Sequence, residues 1–308
     1  MKNNQPLDCI VAGDVVVDLL LEGVIELEVD KEKLATGMEI ALGGSGGITA
    51  HNLARLGARV GYIGVIGKDA FGQFIEDRLV RAGVDLKALR RHAAEKTGIT
   101  VWHSKKQQRA AVTYSGTLAM LRARDIPDEY LRKARHLHIG HYFLLTEMHK
   151  DAVRLFERAR KLGLTTSVDC NYDPTENWDS GLFDVLRHTD IFFPNQNEAR
   201  LLTGGKPPEQ AARELGQLAG TVVVKLGARG ALVYNRGTSF GVPAVKTRVV
   251  DATGAGDSFN AGFLARFLRG GDLRECARNG VEAGARCVAQ VGGTTAFEPR
   301  KRQSSSAN

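Results

Sequence analysis

The segment from Asp251 to Gly262 combines small residues with a carboxylate at a spacing that suits phosphoryl transfer. Gly254, Ala255 and Gly256 let the backbone come close to a ligand, and a helix that begins there presents unpaired amides and partial positive charge to an anion. Asp257 falls in the first turn of that helix, where a carboxylate can receive the proton of an attacking hydroxyl. An isolated aspartate at such a position more often only caps its helix. The three small residues in front of Asp257 favour catalysis, because a cap does not require them.

A second glycine cluster, Gly43 to Gly47, precedes a helix that the pattern predicts over 46–57. Its glycines allow the backbone to lie against a bound polyol, although ordinary turn glycines would look the same. The cluster lacks the G-x-G-x-x-G spacing of dinucleotide-binding proteins, and no G-x-x-x-x-G-K-S/T occurs in the chain. A dehydrogenase and a P-loop kinase are therefore disfavoured.

The elements that must position these segments alternate between strands and helices from residue 135 onward. Alternation of this length predicts an α/β fold with a mainly parallel central sheet flanked by helices. A strand over 246–250 is predicted to lead into the Asp257 segment, and one helix is predicted over 147–162.

The earlier runs at 15–29 and 98–115 do not fit this alternation. They predict a small β-sheet lid, formed from about residues 15–40 and 97–116, that projects from the main domain. We expect residues 1–308 to form a single domain, with a polar, flexible tail at 301–308.

Composition limits the kinds of partner. The 308 residues carry a formal net charge of +7 with dispersed Lys and Arg and few aromatics, which argues against nucleic-acid binding. No apolar stretch reaches the roughly 18 residues of a membrane span, and the N-terminus lacks the apolar core of a signal peptide. We therefore expect no membrane association, a cytoplasmic location, and buried free thiols at Cys9, Cys170, Cys276 and Cys287.

His136, His138 and His141 fall together in a predicted strand and the loop after it. Two histidines on one strand face can bind a metal ion, but no carboxylate or cysteine shares their spacing. Solvated or hydrogen-bonded histidines are the favoured interpretation.

Four segments, in order along nearly the whole chain, resemble the ribokinase-like (PfkB) carbohydrate kinase family. Residues 251–262 resemble its carboxyl-terminal D-T-x-G-A-G-D signature, and residues 43–57 are similar to its amino-terminal glycine signature. Asn195 to Glu198 match its N-x-x-E motif, and Lys225 to Gly230 match its K-x-G-x-x-G stretch. Each motif alone is moderately specific, but the four together are very specific. The resemblance implies a ribokinase-like fold and an ATP-dependent kinase that uses Mg²⁺.

The resemblance assigns the two glycine-rich segments to the reacting groups. Asp257 would take the proton of the substrate hydroxyl, and Gly254, Ala255 and Gly256 would form the anion hole for the transferred phosphoryl group. Asp18, five residues after Gly13, matches the ligand of the substrate hydroxyls. The residues implied to contact the sugar are Asp18, Gly43, Gly44 and Asp257.

The other motifs are implied to hold the nucleotide and its ions. Glu198, with Asn195, would organise Mg²⁺ through water. Asp251 and the carbonyl of Thr253 match a monovalent-cation site, for K⁺, that many members have. The residues implied to lie by the nucleotide are Asn195, Lys225, Gly227 and Gly230.

The chain departs from the family pattern at three places. Ile48 stands where the family usually carries an Asn that touches substrate, so Asn52, one helical turn later, is predicted to replace it. Ala252 replaces the usual Thr after the signature Asp. The family Asn near the adenine aligns with Val281, and Asn279 lies two residues away.

The substrate is predicted from the segment that resembles the family's D-x-N. Members that act on acidic sugars such as 2-keto-3-deoxygluconate often carry Arg where this chain has Asp173. A carboxylate there would repel an acid, so we expect phosphorylation of a primary hydroxyl of a small neutral sugar, as in a ribokinase or fructokinase. A nucleoside kinase of the same fold and a non-catalytic sugar-binding protein remain open. Such lids often pair between subunits in the family, which implies a homodimer.

Overall fold

The computed structural model describes residues 7–105 and 108–299, so the predicted tail at 301–308 lies outside the described residues. Within these ranges the strands are β1 Cys9–Gly13, β2 Val16–Glu22, β3 Gly37–Gly43, β4 Val60–Ile63, β5 Val65–Gly67, β6 Arg90–His92, β7 Ile99–Lys105, β8 Gln108–Tyr114, β9 His136–Gly140, β10 Thr165–Val168, β11 Ile191–Phe192, β12 Thr221–Lys225, β13 Ala231–Asn235 and β14 Thr238–Val242. The helices are α1 Ser45–Arg55, α2 Ala70–Ala82, α3 Asp128–Leu131, α4 Thr146–His149, α5 Ala152–Lys161, α6 Leu182–Leu186, α7 Gln196–Leu202, α8 Pro208–Leu215, α9 Ala255–Phe267 and α10 Leu273–Val288.

Eight strands of the described chain form the central sheet, in the order β14-β13-β12-β11-β10-β9-β1-β4. Pairing is parallel from β4 to β12 and antiparallel for β13 and β14. The predicted mainly parallel sheet is thus confirmed. Because parallel strands end at a common edge, the segments after β1, β9, β10 and β12 meet there, as ligand-binding loops of open α/β sheets do.

Helices cover both faces of the central sheet. Along β1, Ile10 and Ala12 point into one core, and Cys9 and Val11 point into the other. Helices α3 to α8 pack on the first core, and α1, α2, α9 and α10 pack on the second. All four cysteines are buried and free, as predicted.

The predicted lid is a four-stranded sheet in the order β3-β2-β7-β8. Strands β2 and β7 are parallel, and the outer pairs are antiparallel. Large apolar side chains remain exposed on this sheet, including Met38, Val112 and Tyr114. Nothing covers these side chains within the described chain, so the lid is the part of the fold best suited to a further contact.

Two predicted elements are wrong. Residues 243–250 form no strand, because they have no sheet partner and the Val250 amide instead donates to the Val288 carbonyl at 2.7 Å. The helix predicted over 147–162 is broken between α4 and α5, where Asp151 leaves the helical conformation at φ −126° and ψ 9°. No helix in the described ranges combines the length and apolar character needed to cross a bilayer.

Candidate active site

The loop before α9 is held rigidly by Asp251. Its Oδ1 accepts the amide and hydroxyl of Thr253 at 2.8 and 2.7 Å, and its Oδ2 accepts the Gly292 amide at 2.8 Å. The chain then turns at Gly254, which has φ 71° and provides no side-chain cap for α9. A Cβ at Gly254 would lie 2.5 Å from the Gly293 Cα and 3.3 Å from the Ile48 side chain. Glycine is therefore required here by conformation and by space.

Asp257 lies in the first turn of α9 with its carboxylate turned inward. The Ser45 hydroxyl donates to its Oδ1 at 2.5 Å. Burial and the nearby Asp169 raise the pKa of Asp257 to about 6, although Ser45 and Lys225 oppose the rise. A carboxylate with a pKa near 6 is ionised at neutral pH yet still basic enough to take a proton, as a general base must be.

The N-terminus of α1 meets that of α9. Gly44 precedes α1 with φ 81°, again without a side-chain cap, and Ser45 is the first helical residue. The side-chain Nδ2 of Asn171 donates to Ser45 Oγ at 3.0 Å. The Gly46 amide donates to Asp14 Oδ1 at 2.9 Å. Two glycine-led helix starts therefore converge on one carboxylate, Asp257.

Asp18 of β2 and Gly43 of β3 lie two positions apart in the register of this strand pair, and the Asp18 carboxylate lies over Gly43. A Cβ at Gly43 would overlap the Asp18 carboxylate, so only glycine fits beside it. Burial raises the pKa of Asp18 to about 7; the Trp102 indole lowers it by hydrogen bonding, and the charges of Asp14 and Asp257 raise it. The predicted sugar contacts Asp18, Gly43 and Gly44 thus lie together, and the charge of Asp257 is close enough to raise the pKa of Asp18.

His141 follows β9 and contacts the carboxylate of Asp14. It has φ 58°, a left-handed conformation that is uncommon for a residue other than glycine. Its Nδ1 lies 3.0 Å from Asp14 Oδ2. Burial lowers the pKa of His141, but Asp14, Asp257 and Asp169 outweigh it and the net pKa is raised.

Asn195 and Glu198 form a capping box at the start of α7. Asn195 Oδ1 accepts the amides of Asn197 and Glu198 at 2.9 and 3.0 Å, and Glu198 Oε2 accepts the Asn195 amide at 2.7 Å. Burial and the nearby Asp169 raise the pKa of Glu198 to about 7. The capping role fixes the position of Glu198, which remains buried beside Asp169 and Cys170.

Lys225 ends β12 and reaches Asp169. Its Nζ lies 2.5 Å from Asp169 Oδ2, and Asn260 Nδ2 of α9 donates to the same oxygen at 2.5 Å. Gly230 follows with φ 93°, and a Cβ there would overlap the Val242 carbonyl, so the hairpin β13–β14 requires this glycine. Gly227 has φ 58° and open space around it.

The ligating atoms of Asp169, Cys170 and Glu198 all lie within 4.8 Å of one another. Oxygen ligands suit Mg²⁺, whereas a thiol does not. Burial raises the pKa of Cys170 well above its usual value, so its sulfur stays protonated. The two carboxylates therefore fit Mg²⁺, and Asp169, which begins the D-x-N segment, is the member of the pair that the motifs did not assign to the ion.

Two sequence predictions, on Asn52 and on Asp173, need correction. Asn52 is fully buried, and its side-chain Nδ2 donates to Ser258 Oγ and to the Gly293 carbonyl, both at 2.9 Å. The Asn52 side chain therefore joins α1 to α9 and cannot replace the missing substrate contact. Ile48 packs against Gly254 and Gly293 instead of presenting a polar group.

Asp173 does not face the sugar region. It is buried, its Oδ1 accepts the Thr175 amide and hydroxyl at 2.9 and 2.8 Å, and its Oδ2 accepts the Trp178 amide at 2.7 Å. The expected repulsion of an acidic substrate by this residue is therefore not supported.

The histidines of β9 are hydrogen-bonded, which agrees with the interpretation that the sequence favoured over a metal site. The two rings of His136 and His138 share Ser167 Oγ at 2.7 and 2.8 Å. Burial lowers their pKa values to about 3 and about 4, so both are neutral at physiological pH.

Comparisons with known proteins place the chain in one family of kinases. The family model described as pfkB family carbohydrate kinase matches residues 8–300. The chain is 32% identical to a 2-dehydro-3-deoxygluconokinase of Bacillus subtilis over 86% of each chain, and 29% identical to a cytidine kinase of Thermococcus kodakarensis over 90% of this chain and 94% of that one. A candidate ribokinase II of E. coli, solved in complex with ATP and Mg²⁺, superposes with a TM-score of 0.82 at 25% identity, covering 95% of this chain and 96% of the other.

Proposed function

The chain belongs to the pfkB family of carbohydrate kinases, and on that premise we propose that it transfers the γ-phosphoryl group of ATP to a primary hydroxyl of a small neutral sugar. Its membership makes it a carbohydrate kinase, so the non-catalytic alternative is set aside. The observation that carries the proposal is the buried carboxylate of Asp257, which lies in the first turn of α9 and whose pKa is near 6.

In the proposed reaction the substrate hydroxyl attacks the γ-phosphorus and its proton passes to Asp257. A new oxygen–phosphorus bond forms while the bond to ADP breaks, so the protein needs to supply positioning and charge stabilisation. The first turn of α9, at Gly254, Ala255 and Gly256, offers amides and the positive end of the helix dipole to the transferred group. Ser45 holds the base in place through its 2.5 Å hydrogen bond.

Glu198 and Asp169 would hold Mg²⁺, with Asn195 fixing Glu198 through the capping box. When bound, the ion would neutralise phosphate charge. Asn195, Lys225, Gly227 and Gly230 are proposed to lie along the nucleotide. Asp251 and the Thr253 carbonyl remain the proposed K⁺ site, since both offer oxygen ligands on a rigid loop.

A neutral sugar is favoured by the charges around Asp18. Burial is the main cause of the raised pKa values of Asp18 and Asp257, and the carboxylate of Asp14 raises both further. A substrate carboxylate would enter this group of acids at a cost, whereas sugar hydroxyls can donate hydrogen bonds to them. A nucleoside kinase is the second candidate, because the cytidine kinase of Thermococcus kodakarensis is similar over most of both chains.

The experiment is ADP release from Mg-ATP with neutral sugars, sugar acids and nucleosides, each with and without K⁺, and with Asp257→Asn as the negative control. Turnover of one neutral sugar that the variant loses would support the proposal. Turnover of a nucleoside or a sugar acid alone would keep the kinase and refute the neutral substrate. A rate independent of K⁺ would refute the cation site.

A homodimer formed through the lid sheet is proposed from its exposed Val112 and Tyr114, which are 66% and 50% exposed. Sedimentation equilibrium should give twice the 33.4 kDa mass of the chain. A monomer at micromolar concentration would refute this proposal.

A further inference from the structure

His51 lies on α1 with no exposed surface, and the proposed reaction gives it no task. Its Nδ1 lies 2.8 Å from Asn52 Oδ1, and its Nε2 lies 3.1 Å from Glu298 Oε1. Burying a polar ring is costly unless its nitrogens have partners. The two contacts therefore hold the ring in one orientation, between its neighbour on α1 and the segment that follows α10.

The protons along this chain of contacts can be assigned from the groups that only accept. Asn52 Nδ2 donates to the Gly293 carbonyl, so Asn52 Oδ1 faces His51 and Nδ1 of the ring carries a proton. Burial lowers the pKa of His51, and the hydrogen bonds to Asn52 and Glu298 oppose that shift. Nε2 bonds the Glu298 carboxylate only while a proton lies between the two.

Asn52 carries the chain of contacts to the start of α9. Its Nδ2 also donates to Ser258 Oγ at 2.9 Å, and Ser258 directly follows Asp257. Gly293, which accepts the other bond, lies against Gly254, where an added Cβ would stand 2.5 Å from the Gly293 Cα. The partners of this one side chain thus contact the first turn of α9 both before and after the proposed base.

The other end of the chain is anchored at Glu298, whose side chain is 28% exposed. Its Oε2 lies 3.9 Å from Arg55 Nη2 on α1, and its Oε1 lies 3.9 Å from Arg78 Nη1 on α2. Arg55 Nε also donates to the Phe297 carbonyl at 3.0 Å. These contacts hold the carboxylate beside the histidine ring, at a place that none of the proposed sugar, nucleotide or ion ligands occupies.

Resting on the proposed function, we propose that His51 is a positioning residue, which holds the start of α9 through Asn52 and is itself held by Glu298. The three side chains fix where the first turn of α9, with Asp257, lies relative to the glycine-led start of α1. A displacement of that turn weakens interactions made in the transition state more than those that bind ATP or sugar. The loss should therefore appear in kcat and leave KM nearly unchanged.

The first test replaces the ring with one of similar size. In His51→Phe the buried Asn52 Oδ1 loses its donor, and we expect kcat to fall on the order of 10-fold, with both KM values changed less than about twofold. His136→Phe is the matched control, because His136 is also fully buried and both its ring nitrogens lie 2.7 Å from hydroxyl oxygens of β10. The control should lower the melting temperature and keep kcat.

The second test changes the anchor alone. Glu298→Gln supplies an amide proton for Nε2 of a neutral ring, so the chain of contacts stays closed and kcat should remain at or above the wild-type value. Glu298→Ala opens the chain and should lower kcat about as much as His51→Phe does. The double variant of Glu298→Ala and His51→Phe should lose no more than either alone, because both act through the same contact.

Three results would overturn the positioning role while phosphoryl transfer by the wild-type chain still stands. They are a lower melting temperature with unchanged kcat in His51→Phe, equal kcat in Glu298→Gln and Glu298→Ala, and losses that multiply in the double variant. Absence of phosphoryl transfer by the wild-type chain would overturn both proposals. If His51→Phe fails to fold, Glu298→Gln and Glu298→Ala, at a partly exposed side chain, permit the same comparison.

Discussion

Helices α9 and α10 pack along each other but begin in opposite ways. At α10, Asp272 Oδ1 accepts the Glu275 amide at 2.8 Å, and Glu275 Oε2 accepts the Asp272 amide at 3.1 Å. At α9, Gly254 offers no side-chain cap, and Asp257 in the first turn is buried with Ser45 as its partner. One helix satisfies its first amides with its own side chains, whereas the N-cap residue of the other offers them no side chain.

The two aspartates show what this difference means energetically. Asp272 is solvent-exposed and stabilises its helix as an ordinary cap. Asp257 is buried among other acids, so its charge is disfavoured by the fold, as its raised pKa reports. The same residue type therefore stabilises α10 and is proposed to act as the base at α9, and substitutions at the two helix starts should separate the two roles.

The largest effect is expected for Asp257→Asn. Without a carboxylate to receive the hydroxyl proton, kcat should fall on the order of 10²–10⁴-fold, with the far-UV circular dichroism unchanged. Asp272→Asn is the control, since Asn also caps helices and lies outside the site. Turnover near wild type in Asp257→Asn would contradict its role as base.

A smaller loss of activity is expected for Gly254→Ala. The added Cβ would meet the Gly293 Cα at 2.5 Å and displace the start of α9, so we expect kcat to fall on the order of 10-fold or more, because small displacements at a site are costly.

Gly270→Ala is the matched control for that change. Gly270 also has positive φ, 79°, but no atom lies within 4 Å of its Cβ position. Both variants should lose about 1–2 kcal/mol of stability from the backbone conformation, and only Gly254→Ala should lose turnover. Equal turnover in the two variants would show that the position of α9 is not critical.

The smallest expected effect is on the free energy of unfolding, which should change in opposite directions in Asp257→Asn and Asp272→Ala. The folded pKa of Asp257 is about 6 against an ordinary 3.8, so its contribution to stability is present below pH 4 and is lost as pH rises through 6. Asp257→Asn should therefore raise the free energy of unfolding at pH 7.5 by about 1–3 kcal/mol, and much less at pH 4.5. Asp272→Ala should lower it by about 1 kcal/mol.

Urea unfolding at both pH values measures this difference. A lower stability of Asp257→Asn at pH 7.5 would mean that its hydrogen bond from Ser45 outweighs the cost of the buried charge.

Local patterns predicted most of the fold, because helix starts and ends depend on nearby residues. The helix predicted over 46–57 is observed as α1, Ser45–Arg55, and the helix predicted to hold Asp257 in its first turn is α9. The predicted strand at 246–250 was wrong, although Thr247, Val249 and Val250 are β-branched, because a strand also needs a neighbour and here the chain is held by the end of α10.

The site was predicted less completely, because its contacts join distant parts of the chain. Motifs placed Asp257 and Lys225, but the partner of Lys225, Asp169, lies 56 residues away and meets it only through the strand order of the sheet. The prediction that Asn52 contacts the substrate was wrong for a related reason. Its position on α1 was correct, but its side chain faces α9, which sequence periodicity alone did not indicate.

The hydrogen bond between Ser45 and Asp257 joins residues 212 positions apart. During synthesis, the ribosome completes the lid and all eight described strands of the central sheet before α9 exists. A growing chain can therefore bury much of its core while it still lacks Asp257 and the glycine-led start of α9, the proposed base and anion hole. Fragments that end before α9 should have no residual turnover, and activity should appear late and in one step as the last helices dock.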